Sequence, residues 1–289
     1  MNKEFEFLKT INKIFPNRFL GNDCAYLDKY SIAISQDSLI EDVHFSRQFM
    51  TPYEIAQKAL LVNISDILAS GAKAEYFSIG LSGNLDNNFI EEFYQGLYDI
   101  SKDYSLDLIG GDLTKSDKIM ISVTILGNYK NRRISYRQNA REGYIAAAIG
   151  EFGSSAQGLY NLQNNIQDNY FINIHKKPVL YPELSSKIAK NTDYPYAMMD
   201  SSDGLFDCLY QIAEKSRVKI NIDYTKIPHK TNNKDLVLFG GEDYCPVIAL
   251  HPDDFKKFED LIQIGTIDKG NGVYIDNQKV EYKSFKHFE

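Results

Sequence analysis

The sequence has three cysteines, Cys24, Cys208 and Cys245, with no C-x-x-C spacing. So odd and scattered a set excludes a disulfide framework and the common thiolate zinc sites. It fits reduced thiols in a cytoplasmic protein. No apolar run approaches the roughly 18 residues of a membrane span. The opening Met1-Asn2-Lys3-Glu4-Phe5-Glu6-Phe7-Leu8 lacks the continuous apolar core of a signal peptide. Basic residues form no dense stripe and the formal net charge is −7, which argues against a nucleic-acid backbone or an anionic membrane as the main partner. G-x-x-x-x-G-K-[ST] and H-R-D are both missing, so neither a conventional P-loop nor a protein-kinase fold is expected.

What is present is a chain of 289 residues, 43% hydrophobic and 25% charged, the balance of a globular protein with room for two domains. Its unusual feature is a set of acidic residues in apolar or glycine-rich surroundings: Asp23, Asp66, Asp112, Asp200, Asp203, Glu242 and Asp243. Carboxylates in such places need cations. An acidic protein can bind phosphates when divalent metals supply the positive charge. The stretch Ser35-Gln36-Asp37 through Val43-His44-Phe45 follows the apolar run Ile32, Ala33, Ile34, read as a strand, so its polar side chains are expected where that strand ends. A solvated acidic loop is the plain alternative.

Thr51-Pro52-Tyr53-Glu54 is a capping box with proline at the first helical position, and Gly71 supplies the stop, which predicts a helix to about Ser70. That helix is apolar nearly all round, so it should be buried. Asn63, Asp66 and Ser70 nevertheless make a polar stripe on one face. Asp66 therefore meets a cation, a structural salt bridge or hydrogen-bond donors. Helices are also expected over Glu4 to Phe15 and Phe89 to Ser101, and strands over Phe77 to Leu81, Leu106 to Ile109 and Ile119 to Tyr129. Gly110-Gly111-Asp112 ends one of these strands as a turn whose amides suit phosphate oxygens, or as a plain turn. Lys130-Asn131-Arg132-Arg133 reads as a linker or hinge dividing domains 1–133 and 134–289, with Arg137 and Arg141 just beyond it.

In the second half, a strand over Tyr144 to Ile149 leads through Gly150-Glu151-Phe152-Gly153-Ser154-Ser155-Ala156 into a helix, a capping run that could also hold an anion. Asn161 to Tyr170 reads as a helix end and then a surface loop. A strand from Ala197 delivers Asp200-Ser201-Ser202-Asp203 to the start of a helix. Asp203 could cap that helix, but capping does not explain Asp200 as well. Gly240-Gly241-Glu242-Asp243 precedes a further strand, and a helix is expected from Pro252 to Leu261. Aspartates at strand ends and on a buried helix, with no Cys/His pattern, favour a hard cation with oxygen ligands, most simply magnesium. Magnesium beside glycine-rich turns points to phosphoryl transfer.

Six motifs in order, Gly21-Asn22-Asp23-Cys24-Ala25, Ser35 through Phe45, Lys58 through Gly71, Gly110-Gly111-Asp112, Asp200 through Leu205 and Gly240 through Tyr244, closely resemble those of the thiamine-monophosphate kinase family. That family sits in the superfamily of aminoimidazole ribonucleotide synthetase and selenophosphate synthetase. The resemblance covers nearly the whole chain. It implies an α+β, two-domain fold: an N-terminal mixed α/β domain that forms a barrel with its twin in a homodimer, and a C-terminal α/β domain, with ATP between them. It implies direct, magnesium-dependent transfer from ATP to thiamine monophosphate. By motif, Asp23, Ser35, Gln36, Asp37, Asp66, Asp112, Asp200 and Asp203 would hold several magnesium ions, with Asp66, Asp112 and Asp203 central to catalysis. Gly111, Asp112, Arg137 and Ser202 would contact ATP, and His44, Glu242 and Phe285 the thiamine phosphate.

The chain departs from the family pattern at Asn22, Gln36 and Cys245, where the family usually carries Asp, a hydroxyl residue and Glu. The competing readings are a relative with another acceptor, or a nucleotide-binding protein that has lost catalysis. The reactive N-terminal cysteine of selenophosphate synthetase and the C-terminal cysteine of the hydrogenase-maturation relative have no counterpart here.

Overall fold

The computed structural model describes residues 3–16, 19 and 21–282. The first half runs α1 (Lys3–Ile14), β1 (Ala25–Leu27), β2 (Ile32–Ile40), α2 (Pro52–Ser70), β3 (Lys73–Ser82), α3 (Asn87–Tyr104), β4 (Asp107–Thr114) and β5 (Met120–Asn128). The second runs β6 (Ile145–Ala148), α4 (Ser154–Gln163), α5 (Asn169–Lys176), α6 (Pro182–Asn191), β7 (Ala197–Asp200), α7 (Leu205–Ser216), β8 (Val218–Ile222), α8 (Lys234–Phe239), β9 (Pro246–Leu250), α9 (Pro252–Phe255), β10 (Ile262–Lys269), β11 (Gly272–Ile275) and β12 (Gln278–Lys279). Among the described residues no helix is long and apolar enough to cross a membrane.

Strands of the first half form a five-stranded sheet in the order β1-β2-β5-β3-β4, with only β4 and β3 parallel. The two-residue period of a strand sends Phe77, Ile79, Leu81, Ile121, Val123 and Ile125 to one buried face. α2 and α3 cover that face. On the other face lie small or polar residues, Gln36, Ser38, Gly80, Ser122 and Thr124, all at least partly exposed. Strands of the second half form a seven-stranded sheet, β12-β11-β8-β10-β6-β9-β7. Around β6, β7 and β9 both faces are buried. Ala197, Met199, Val247 and Ala249 pack toward α7 and α8, and Met198, Ile248 and Leu250 toward α6. This is why β6, β7 and β9 read as nearly continuous apolar runs.

α2 is capped as its sequence predicts: Thr51 accepts from the Glu54 N–H, Glu54 accepts from the Thr51 N–H, and Gly71 ends the helix at φ 86°. Its apolar circumference follows from its position, because it packs on the first sheet and also on β7 and α6 of the second half. Ser185 of α6 donates to the Leu68 carbonyl (2.5 Å). The basic run expected as a hinge is tied down. Arg132 donates to the Gly71 carbonyl (3.4 Å) and to Ser186 (3.1 Å), and Arg133 to the Thr192 and Asp193 carbonyls (3.3 Å each).

Three expectations need correction. β2 does not end at Ile34 but continues to Ile40, because β5 pairs with it along its whole length. Gly110-Gly111-Asp112 lies inside β4, held by pairing with β3, and is not a turn. The helix expected to reach Leu261 stops at Phe255. The helix end and loop read from Asn161 are present, α4 ending at Gln163 and residues 164–168 forming the loop, with Asp168 capping α5 by accepting from the Tyr170 N–H.

Gly71 offers a test of how tightly the halves are joined. A Cβ there would lie 2.4 Å from the Tyr196 hydroxyl and 2.9 Å from the Arg133 carbonyl, whereas a Cβ on Gly143, with a similar φ of 84°, would meet nothing within 4 Å. Gly143→Ala should cost about 1 kcal/mol of backbone strain. Gly71→Ala should cost about 2–3 kcal/mol or more, as read by urea denaturation; equal losses would mean that the junction yields freely.

Candidate functional site

Three segments distant in sequence deliver carboxylates to one point. Asp23 comes from the turn before β1, Asp66 from α2 and Asp200 from the last position of β7, and one carboxylate oxygen of each lies within 4.8 Å of the others. Two serines fix these groups. Ser35 of β2 donates to Asp66 Oδ2, and Ser65 of α2 donates to Asp200 Oδ2, both at 2.5 Å. The Arg137 guanidinium donates to Asp23 Oδ1 (2.6 Å) and to Gln211. Asp37 lies on the Ser35 face of β2, and its N–H, no longer needed by the short β1, donates to Asn63 Oδ1 (3.1 Å). The predicted stripe on α2 thus divides: Asn63 and Asp66 serve the site, whereas Ser70 caps its own helix through the Ile67 carbonyl.

The electrostatics are those of a site short of positive charge. Burial pushes the Asp66 carboxyl well above its ordinary value, and Asp37 and Asp200 push it further. Burial, and then Asp23, raise Asp200 to about 7. Asp37 is also raised, by loss of surrounding water and by Asp23. Such all-oxygen donors fit a hard divalent ion, which would replace proton binding as the means of neutralising them. Cys24 and Cys208 border the cluster, donating to the Asp66 and Asp200 carbonyls (3.5 and 3.0 Å). Burial raises both thiol pKa values well above normal, so they remain protonated packing groups.

Asn22 stands where the family usually carries Asp, and its Oδ1 accepts the Arg137 N–H (3.2 Å). That bond ties the turn before β1 to Arg137. The run before α4 is not open to an external anion: Asp243 accepts from the N–H groups of Gly153 (2.6 Å) and Ser155 (2.9 Å). Beside it, Glu242 adopts φ 64° and its N–H donates to the Ser202 carbonyl (2.7 Å). A Cβ on Gly241 would sit 2.6 Å from that same carbonyl, so the 240–242 and 202–204 turns pack backbone to backbone.

The other candidates are not all drawn into the three-aspartate cluster. Gln36 points to the opposite sheet face, where it bonds with Ser122 (3.4 Å) and Thr124 (3.1 Å); strand alternation removes its side chain from the cluster. Asp112 shares that opposite face and sits on β4, in register with Gly80, Ser122 and Ser38 across the sheet. Three strand spacings, about 14 Å, separate it from β2. Gly111 is beside it on this exposed edge. His44 accepts the Ile40 N–H at Nδ1 (2.9 Å), closing the turn after β2. Ser202 and Asp203 lie in the turn before α7, whose N-cap is Gly204. Phe285 is outside the described residues. Sequence reasoning missed the partners that arrange the site: Ser65, Gln211, His175 and Lys58, a lysine in an apolar helix whose ammonium meets Glu242 at 3.1 Å.

Residues 21–129 match the family model described as AIR synthase related protein, N-terminal domain. The thiamine-monophosphate kinase of Aquifex aeolicus is 32% identical over 99% of this chain and 98% of its own length. That of Bacillus subtilis is 35% identical over 78% of this chain and 75% of its own. The structure of AaThiL complexed with AMPPCP and TMP superposes with a TM-score of 0.91 at 31% identity, covering 99% of this chain and 97% of the other.

The raised aspartates set a pH dependence. A folded carboxyl at about 7 against an ordinary 3.8 means that the cation-free folded protein keeps protons the unfolded chain has lost. Stability should therefore fall as pH rises from about 4 through 7. Magnesium should restore it most strongly at pH 8, with protons released on binding at pH 7. Asp200→Asn, with one repelling charge removed, should melt about 3 °C or more above the parent at pH 8 without magnesium and gain little from the ion. A parent midpoint that is flat with pH and indifferent to magnesium would contradict this.

Proposed function

This chain belongs to the thiamine-monophosphate kinase family, and we propose on that premise that it transfers the terminal phosphoryl group of ATP directly to the phosphate of thiamine monophosphate, forming thiamine diphosphate with magnesium. The observation that carries the reading is the convergence of Asp23, Asp66 and Asp200 within 4.8 Å. Magnesium held there supplies charge neutralisation for phosphate oxygens of donor and acceptor, which is the main catalytic requirement of phosphoryl transfer.

The chain's own residues have distinct tasks in this reading. Ser35 and Ser65 orient Asp66 and Asp200. Asp37 and Asp203 extend the acidic surface from β2 and from the turn after β7. Arg137, held against Asp23, is near enough to the cluster to steady ATP phosphates, with Ser202 on the adjoining turn. His44 and Glu242 serve the acceptor. In this reading transfer is direct; the bordering thiols of Cys24 and Cys208, buried and held protonated, are not activated to carry a phosphoenzyme.

Asp112 and Gly111 enter through a homodimer. β4 is exposed along its full length and carries Leu108, Ile109 and Leu113, each about half exposed. An unpaired apolar edge of this kind favours pairing with a second chain. A twin sheet against this edge and the open face would bring each Asp112 toward the partner's aspartates, an arrangement that its distance from its own cluster calls for.

With ATP, magnesium and thiamine monophosphate, ADP and thiamine diphosphate should appear in equal amounts, and neither without magnesium. Asp66→Asn and Asp112→Asn should each lose activity by about 100-fold or more. Mixed and allowed to exchange subunits, the two variants should recover about a quarter of parental activity, since half the dimers would hold one intact site of two. No recovery despite demonstrated exchange would sink the shared-site reading.

A further inference from the structure

The Lys58 side chain is fully buried (0% exposed) in α2, and its ammonium partner among the described residues is Glu242 Oε2 at 3.1 Å. A buried lysine is retained only if its charge is met, and here the partner comes from the other half of the chain. Glu242 is the less enclosed partner, with its side chain 27% exposed. Oε2 faces Lys58 and, at 3.6 Å, His175 Nδ1, while Oε1 takes no hydrogen bond among the described residues. Ser155 lies 3.1 Å from the same His175 nitrogen. Burial, and then Lys58, lower the His175 pKa to about 4, so the imidazole is neutral at pH 7 and Lys58 supplies the positive charge.

Lys58 and Ser65 are seven residues apart, on the same face of α2. From that face Ser65 grips Asp200 and Lys58 grips Glu242. The helix therefore sets the two anchoring residues about 10–11 Å apart along its axis and ties the positions of the two carboxylates to one rigid element. One end of this span belongs to the metal-binding cluster. The other is a carboxylate anchored from behind, with one oxygen free.

Resting on the thiamine-monophosphate reading, we propose that Lys58 is the positioning residue for acceptor recognition: it holds Glu242 so that its free oxygen faces the cationic ring system of an acceptor whose phosphate lies at the aspartates. Thiamine monophosphate has this form, a phosphate at one end and a permanently charged thiazolium with an aminopyrimidine beyond it. ATP carries no such cation, so the Lys58–Glu242 pair discriminates for the acceptor alone.

Steady-state kinetics of Lys58→Met, Glu242→Gln and the double variant test this, together with binding of a non-hydrolysable ATP analogue. Lys58→Met and Glu242→Gln should each raise KM for thiamine monophosphate about tenfold or more, while KM for ATP and analogue affinity stay within about threefold. The double variant should be no worse than Glu242→Gln, because Lys58 acts through that carboxylate. The double variant leaves no unpaired charge at this pair, so it remains informative if Lys58→Met fails to fold. An unchanged acceptor KM, parallel loss of ATP and acceptor affinity, or additive losses in the double variant would overturn the proposal. A parent protein that forms no thiamine diphosphate would overturn the underlying function, whereas a competent parent with an indifferent Lys58→Met would overturn this inference alone.

Discussion

Three carboxylates held within 4.8 Å in a largely dry setting repel one another, and much of the surrounding structure can be understood as the means of keeping them together. The two serine hydroxyls and the Arg137 guanidinium orient them without fully neutralising them. Burial first, and then the neighbouring carboxylates, keep Asp66 and Asp200 raised, so the repulsion remains. A site strained in this way by charge is pre-organised for a cation: ions and phosphates enter an arrangement that needs them and does not have to form around them.

α2 makes that arrangement possible. It contributes Asp66 directly, holds the N–H of Asp37 through Asn63, and reaches into the second half through Ser65 and Lys58. Burial on every side leaves it little freedom to shift. The fixed junction at Arg132, Arg133 and Gly71 extends the same rigidity to the ends of the two halves. Substrate binding would therefore act on a preset spacing between the aspartates and Glu242.

Local signals were legible in the sequence. The capping box, the proline at the first turn and Gly71 gave both ends of α2, and its polar stripe singled out Asp66. The aspartates were recognisable because an ionised carboxyl in apolar surroundings demands an explanation. Non-local pairing was not legible. The extension of β2 depends on β5, some 85 residues away, and the absorption of Gly110-Gly111-Asp112 into β4 depends on β3. Asp243 looked like a ligand beside Glu242, but it caps α4 from 88 to 90 residues away. The facing of the Gln36 side chain was not legible because it depends on the strand continuing past Ile34. Lys58 was passed over because nothing in the sequence near it announces Glu242.

The exposed edge that carries Asp112 gives the chain a face suited to a second copy, but the acidic cluster lies within one chain and can be tested there. Crystals grown with manganese in place of magnesium, measured at a wavelength where manganese scatters anomalously, test the central claim most directly. The account predicts an anomalous peak within about 2.3 Å of carboxylate oxygens from Asp23, Asp66 and Asp200. A map with no peak there at saturating manganese, and the three carboxylates unmoved around Arg137, would contradict it.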